Sequence, residues 1–355
     1  MQNINARDNL LRTLHRQGFD WVPVDQNNFC PSQVEAFKKR FGHTRIVEHF
    51  ENPMRFCELT YAKTFSDPKA LYPRTQLPAN ISFDEFGVGS SFHDGCYHLT
   101  RMHHPLEGDA TLEEIKKYPF PILNDDISEV SRFVQGIQAQ GLAVMGGMMC
   151  SVWEQAWYLR SMEDMMVDLL TEDERAIALL DRTRDFACER ARFYAQAGVD
   201  ILHVADDIGM QAAPMMAPDL WRKWIKPRCA EIILVACDAK PDILIRYHSC
   251  GYSLPFIEDL IEIGVDILNP IQPECMDLAE LHRRYGDRLS FWSTIGTQHI
   301  LPFGTPEDVR AAVRRDLDIC GEQGGIVISP THMVEPEVPW ENLEAMRLAA
   351  KEYRK

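Results

Sequence analysis

From about residue 110 onward, short apolar runs alternate with longer amphipathic stretches along the chain. The short runs are Leu142–Met145, Ile201–Val204, Ile243–Tyr247, Val265–Leu268, Leu289–Trp292 and Ile326–Ile328. Several are β-branched and bounded by Gly, Asp or Pro, the pattern of strands buried on both faces of a parallel sheet. The stretches between them have helical length and period. Thr171-Glu-Asp-Glu174 predicts a capping box before a long helix. Thr305-Pro-Glu-Asp308 places proline at the first helical position and acid in the first turn. Gly198, Gly264 and the Gly324/Gly325 pair punctuate helix ends before strands.

Strand–helix alternation of this kind predicts an α/β fold with a parallel sheet. Val22–Val24 supplies a first strand and a run near Ile81–Phe86 another, which brings the six runs to eight. Eight strands predict a closed (β/α)₈ barrel, the TIM-barrel architecture, and residues 1–355 fit one such domain. A doubly wound sheet is the competing arrangement. It is weakened by the absence of a Gly-x-Gly-x-x-Gly turn after the first strand. The segment Gln26–Leu123 is irregular and rich in Pro, His and aromatic residues. It reads as an N-terminal helical elaboration followed by an insertion placed to cap the barrel mouth.

Composition narrows the functional classes. A formal net charge of −16 repels phosphate backbones and anionic lipid, so neither nucleic acid nor a membrane surface is expected as a partner. No apolar stretch reaches the length of a membrane span. The segment Met1–Asp8 is polar and lacks the apolar core of a secretory signal. The 10 cysteines are scattered without regular spacing, which suits free thiols in a reducing cytoplasm.

The chemistry gathers where strands end. Ala205-Asp-Asp207, His248-Ser-Cys-Gly251, Asn269-Pro270, Ser293-Thr294 and Ser329-Pro-Thr-His332 each follow an apolar run. In a barrel all of these face one mouth. His248 and Cys250 are two apart on an extended segment, so their side chains share a side. Imidazole nitrogen and thiolate are preferred zinc ligands, and a catalytic zinc needs three protein ligands. His332, in the equivalent place after the last strand, is the expected third. The competing reading is a buried histidine beside a core thiol. Cys150 and Cys275 are alternative thiol ligands. Glu154 is a candidate general acid or oxygen ligand, or else a first-turn residue complementing its helix dipole. Of Asp206 and Asp207, one is expected in the site, as catalytic residue, ligand or support for a ligand, and the other as a cap.

These motifs carry a resemblance. Tyr247-His-Ser-Cys-Gly251, Ile263-Gly-Val-Asp-Ile-Leu-Asn-Pro270, Leu301-Pro-Phe-Gly-Thr-Pro-Glu307, Ser329-Pro-Thr-His332 and Val338-Pro-Trp-Glu-Asn342 resemble the uroporphyrinogen decarboxylase superfamily. So do Ala205-Asp-Asp-Ile-Gly209 and Trp221-Arg-Lys-Trp-Ile-Lys-Pro227. The resemblance spans most of the chain and implies a (β/α)₈ barrel. One branch decarboxylates tetrapyrroles without a cofactor, using arginines in an N-terminal segment. Here that place reads Val22-Pro-Val-Asp-Gln-Asn-Asn-Phe29, without arginine. The other branch comprises zinc-dependent, corrinoid-linked methyltransferases with an H-x-C motif and a late cysteine. This chain has His248 and Cys250, with His332 at the late position.

The resemblance therefore implies a methyltransferase that moves a methyl group from a methoxylated, aromatic small molecule to a corrinoid protein. It implies Zn²⁺ on His248, Cys250 and His332, with Glu154 and Asp207 catalytic and Asn28, Asp84 and Trp292 against the substrate. Met148, Met149 and Trp153 are further candidates to shelter a ring. A homodimer is an option for its assembly. The alternative is a decarboxylase of a carboxylated small molecule. A barrel that binds a corrinoid protein or small ligand without catalysis is the third reading.

Overall fold

The computed structural model describes residues 4–91, 101–321 and 323–353. Met1–Asn3, at the start of the polar leading segment, lie outside them. Seven parallel strands form a curled sheet in chain order: β1 (Met54–Cys57), β2 (Ala143–Met148), β3 (Ile201–Ala205), β4 (Leu244–His248), β5 (Ile267–Asn269), β6 (Ser290–Trp292) and β7 (Ile326–Val327). Helices fill the connections, as parallel crossovers require. The result is a TIM-barrel-like fold. The six later apolar runs fall on β2 to β7 with shifts of at most three residues at their ends.

The first two expected strands fare differently. Val24 contributes only a parallel bridge to Ile328, held by Asp25 N–H donating to the Ile328 carbonyl at 2.9 Å. The strand beside β2 is β1, Met-Arg-Phe-Cys, which an arginine hides from a hydrophobic pattern. Arg55 faces away from the barrel interior and donates to the Asn52 and Met54 carbonyls. Between the Val24 segment and β1, the Asn52 side chain makes the join. Gln26 N–H donates to its Oδ1 at 3.2 Å, and its Nδ2 donates to Asp25 Oδ1 at 3.0 Å.

The run near Ile81–Phe86 is not a barrel strand, contrary to the pattern. Ile81–Phe83 pairs antiparallel with Gly89–Ser91, which pairs with Arg101–His103. Asp84 forces this: its Oδ1 accepts from the Phe86 and Val88 amides at 2.9 and 2.8 Å and turns the chain back. This small sheet belongs to the insertion between β1 and β2, which walls the barrel mouth with Glu58, Tyr61, Asp84, Glu85 and Phe86.

Capping follows the sequence in one case and departs in another. Thr305 and Asp308 form the expected capping box at helix Pro306–Cys320. The long helix Glu174–Ala197 starts at Asp173, whose side chain accepts from Arg175 N–H, and Thr171 instead ends the preceding helix Met162–Leu170. Asp173 wins because its carboxylate sits one residue before the first turn and ion-pairs with Arg175.

Period-two alternation sorts the barrel interior into layers. Met54, Ala143, Met145, Ile201, Leu244, Ile267, Trp292 and Val327 form one apolar cluster, closed from below by Leu10 and Leu14 of helix Ala6–Leu14. One step toward the mouth the same parity yields His203, Arg246 and Asn269, and the next yields His248. An apolar plug thus supports a polar floor. Both leucines are fully buried. Leu14→Ala should therefore cost about 2–5 kcal/mol, read from urea denaturation midpoints at constant m-value.

Candidate metal centre and active-site cavity

His248 ends β4 and Cys250 follows it. The His248 ring is oriented by Asn269 at the end of β5, with Nδ1 2.7 Å from Asn269 Oδ1. The Asn269 amide is itself oriented, because its Nδ2 donates to the Trp292 carbonyl at 3.1 Å and to Ser293 Oγ at 2.9 Å. Its Oδ1 must then accept, so His248 carries its proton on Nδ1. The lone pair on Nε2 faces Cys250 Sγ at 3.5 Å and Asp207 Oδ1 at 3.7 Å.

Asp207 reaches this point because two loops touch through their backbones. The Tyr252 amide donates to the Met210 carbonyl at 2.7 Å. A Cβ on Gly209 would meet the Cys250 carbonyl at 2.7 Å, and Gly251 has φ +79°. Only glycine permits that approach. Asp207 Oδ1 then accepts from Cys250 N–H at 2.7 Å. Its neighbour Asp206 is fully buried and accepts from the amides of Ser151, Val152, Trp153 and Glu154, capping helix Trp153–Arg160. The adjacent acids thus differ in place, Asp207 beside His248 and Cys250 and Asp206 at the start of the helix.

Among the described residues, Asp207, His248 and Cys250 are the group that could hold a metal ion, with ligand atoms within 4.8 Å of one another. Burial pushes the Cys250 thiol up, and the Asp207 and Glu154 carboxylates push it further. Burial draws His248 down to the neutral imidazole against the pull of Asp207. Glu154 is held protonated well above the usual carboxylate range by burial, then by Asp207 and Asp206. A divalent cation reverses this pressure, since it favours thiolate and carboxylate while a neutral imidazole is already a ligand. The donor set therefore fits a borderline metal such as zinc.

Through His248 the centre borders a cavity of about 560 Å³, lined by strand ends on one side and the insertion on the other. His248, Asn28, Asp84 and Cys150 line it, as do Met149 and His332. A second cavity, of about 470 Å³, lies beyond the cluster and includes Asp207, Cys250 and again His332. His332 is thus at the mouth, but it is outside the group that gathers around Cys250, where Asp207 stands instead. Cys275 is also outside that group. Glu154 lies behind the centre, accepting from Asp207 N–H at 3.0 Å and from Tyr158 Oη at 3.3 Å. Trp292 does not line the cavity. It is fully buried one layer below, donating to Asp25 Oδ2 at 3.1 Å. Met148 and Trp153 are likewise fully buried.

Asp25, His203 and Arg246 on the cavity floor are not evident from strand-end reasoning. Burial lifts Asp25 to about 6 and lowers Arg246 to about 10. The signal for two of them is parity: Arg246 shares an inner face with His248, and His203 is its register partner on β3. The described cysteines are free, and no helix among the described residues is long and apolar enough to cross a membrane.

A family model for uroporphyrinogen decarboxylase (URO-D) matches residues 5–353. The methylcobamide:CoM methyltransferase MtaA of Methanosarcina barkeri is 27% identical over 49% of this chain and 49% of its own length. The chain thus spans about half the length of that curated relative. The uroporphyrinogen decarboxylase of Pseudoalteromonas translucida is 23% identical over 98% of this chain and 97% of its own length. A solved methyltransferase from Methanosarcina mazei superposes with a TM-score of 0.65 at 17% identity, covering 99% of both chains, a likeness of fold.

Asp84 gives a pH test. Burial raises its carboxyl from 3.8 to about 6, so the folded state binds the proton more tightly than the unfolded chain. Its contribution to stability is then greatest below the unfolded pKa and is lost as pH rises through about 6. Asp84→Asn keeps the acceptor for the Phe86 and Val88 amides. The variant should show a smaller loss of stability between pH 5 and 7, read from urea midpoints.

Proposed function

The chain belongs to the uroporphyrinogen decarboxylase family, and from that premise we propose that it is a zinc-dependent methyltransferase passing a methyl group from a methoxylated aromatic compound to a corrinoid protein. The observation that carries this reading is the triad of unlike donors, Asp207, His248 and Cys250, with His248 lining one barrel-end cavity and Asp207 and Cys250 the other. The partial match to a methylcobamide:CoM methyltransferase supports it. His332 is proposed as a further group at the mouth, within reach of either cavity.

A bound zinc would supply Lewis acidity that stabilises negative charge on the departing oxygen. The chain's own residues do the rest. Asn269 fixes the His248 tautomer that leaves Nε2 bare. Phe56, Phe86 and Tyr61 offer apolar wall to an aromatic ring. Glu154, held protonated behind Asp207, would restore a proton to that side of the site. In the transfer, the carbon–oxygen bond of the ether breaks with its electron pair on oxygen. The methyl carbon gains its new bond from the electron pair of the reduced corrinoid cobalt, and the oxygen then takes a proton.

Decarboxylation is the second reading, favoured by the near full-length match to uroporphyrinogen decarboxylase. Carbon dioxide release from uroporphyrinogen, unaffected by chelator, would establish it in place of the first.

The purified chain should contain about one zinc, as a single three-ligand catalytic site holds. Cys250→Ala should lose both the metal and methyl transfer to cob(I)alamin, measured by elemental analysis and the change in corrinoid absorbance. Fully active, metal-free wild-type protein sinks the proposal. Asn269→Ala should retain the ligands but weaken zinc binding by about 10–100-fold in chelator competition, the usual effect of removing a partner that orients a ligand.

A further inference from the structure

The floor of the cavity holds a buried cation without a salt bridge among the described residues. Arg246 is 7% exposed. Its Nε has no hydrogen-bond partner. Nη1 lies 3.3 Å from Met145 Sδ and 3.3 Å from His203 Nδ1, and the guanidinium sits 4.8 Å above the Trp292 ring. Among the described residues it makes no ion pair. Asp25 is the anion nearest in field, but its oxygens accept from Trp292 Nε1, Asn27 Nδ2 and Asn52 Nδ2. A buried guanidinium left this way is costly, and a planar anion is the ligand that matches its fork.

The geometry points to Arg246 as the receptor for a carboxylate of the methyl donor. This inference rests on the methyltransferase reading for the identity of the donor, though not for the existence of the subsite. The charge distribution sets the orientation. Glu58, Asp84 and Glu85 line the wall contributed by the insertion, and Arg190 lines the cavity with its Nη2 donating to the Cys150 carbonyl, whereas Arg246 lies on the floor with Asp25. A carboxylate is repelled from the three acids of the insertion and drawn to Arg246, beside which the Asp25 oxygens are already taken by Trp292, Asn27 and Asn52. Arg246 and His248 are two residues apart on one inner face of β4, about 7 Å along the strand. That spacing fits a ligand whose carboxylate and methyl-bearing oxygen stand at opposite ends of one aromatic ring. The substrate class is a methoxylated aromatic acid. The arginines absent from the N-terminal segment are thus answered by one from inside the barrel, suited to a single carboxylate.

The test is calorimetric titration of the purified chain with para-methoxybenzoate and with its uncharged counterpart, para-methoxybenzyl alcohol. Wild type should prefer the acid by about 10–100-fold, the worth of one charge-assisted contact. Arg246→Met should erase the preference while still binding the alcohol, and Arg246→Lys should restore part of it. Chelator-treated wild type should keep the preference, which separates this contact from carboxylate ligation of a metal. Equal binding of the two ligands by wild type, no binding of the acid, or a preference surviving in Arg246→Met would overturn the inference. If Arg246→Met does not fold, as judged by its thermal transition, the wild-type comparison and the lysine variant decide alone. Methyl transfer to cob(I)alamin, assayed on the same two ligands, keeps the readings apart. Preference for the acid without transfer leaves the subsite standing and removes the methyltransferase. Transfer from the neutral ether without that preference does the reverse.

Discussion

The hydrogen bond between His248 Nδ1 and Asn269 Oδ1 is the contact on which the rest of the site depends. It joins the ends of two adjacent strands and decides which ring nitrogen is bare. Its direction is not chosen locally. The Trp292 carbonyl and Ser293 Oγ on the next strand compel the Asn269 amide to present oxygen to the histidine. Three consecutive strand ends therefore act as one relay, and the ligand-ready tautomer is a property of the barrel rather than of the histidine.

Around that relay the protein has gathered groups that repel one another in its absence of counter-charge. Cys250 and Glu154 each resist ionisation because they are buried beside the Asp207 carboxylate. Close approach of the loops after β3 and β4, made possible by Gly209 and Gly251, enforces the gathering. Fold stability alone does not call for this. Apolar residues at the same positions would avoid the penalty, which a bound positive charge would relieve.

Much of this was legible in the residues. The six late strands announce themselves as short apolar runs, several of them β-branched, and His248 and Cys250 stand where a strand pattern ends. What escaped did so for physical reasons. β1 carries an outward arginine that breaks its apolar pattern, while the Ile81–Phe83 run has a strand's composition and an Asp84 turn that sends it into a local sheet. Order along the chain pointed to His332, which lines both cavities, while loop contact rather than strand order brings Asp207 beside Cys250. Arg246 and His203 sat inside hydrophobic runs and become visible only when parity with His248 is followed down the strand.

The join between the Val24 segment and β1 has a further meaning. Elsewhere the sheet is laced by backbone ladders, but here an asparagine side chain does the stitching. The barrel is therefore a ribbon with a seam. The seam runs past Asp25, and so along the floor where Arg246 lies. Side-chain stitches part more readily than ladders, so slow breathing of this fold should start there, giving water a route to the cavity's deepest point that does not pass the mouth.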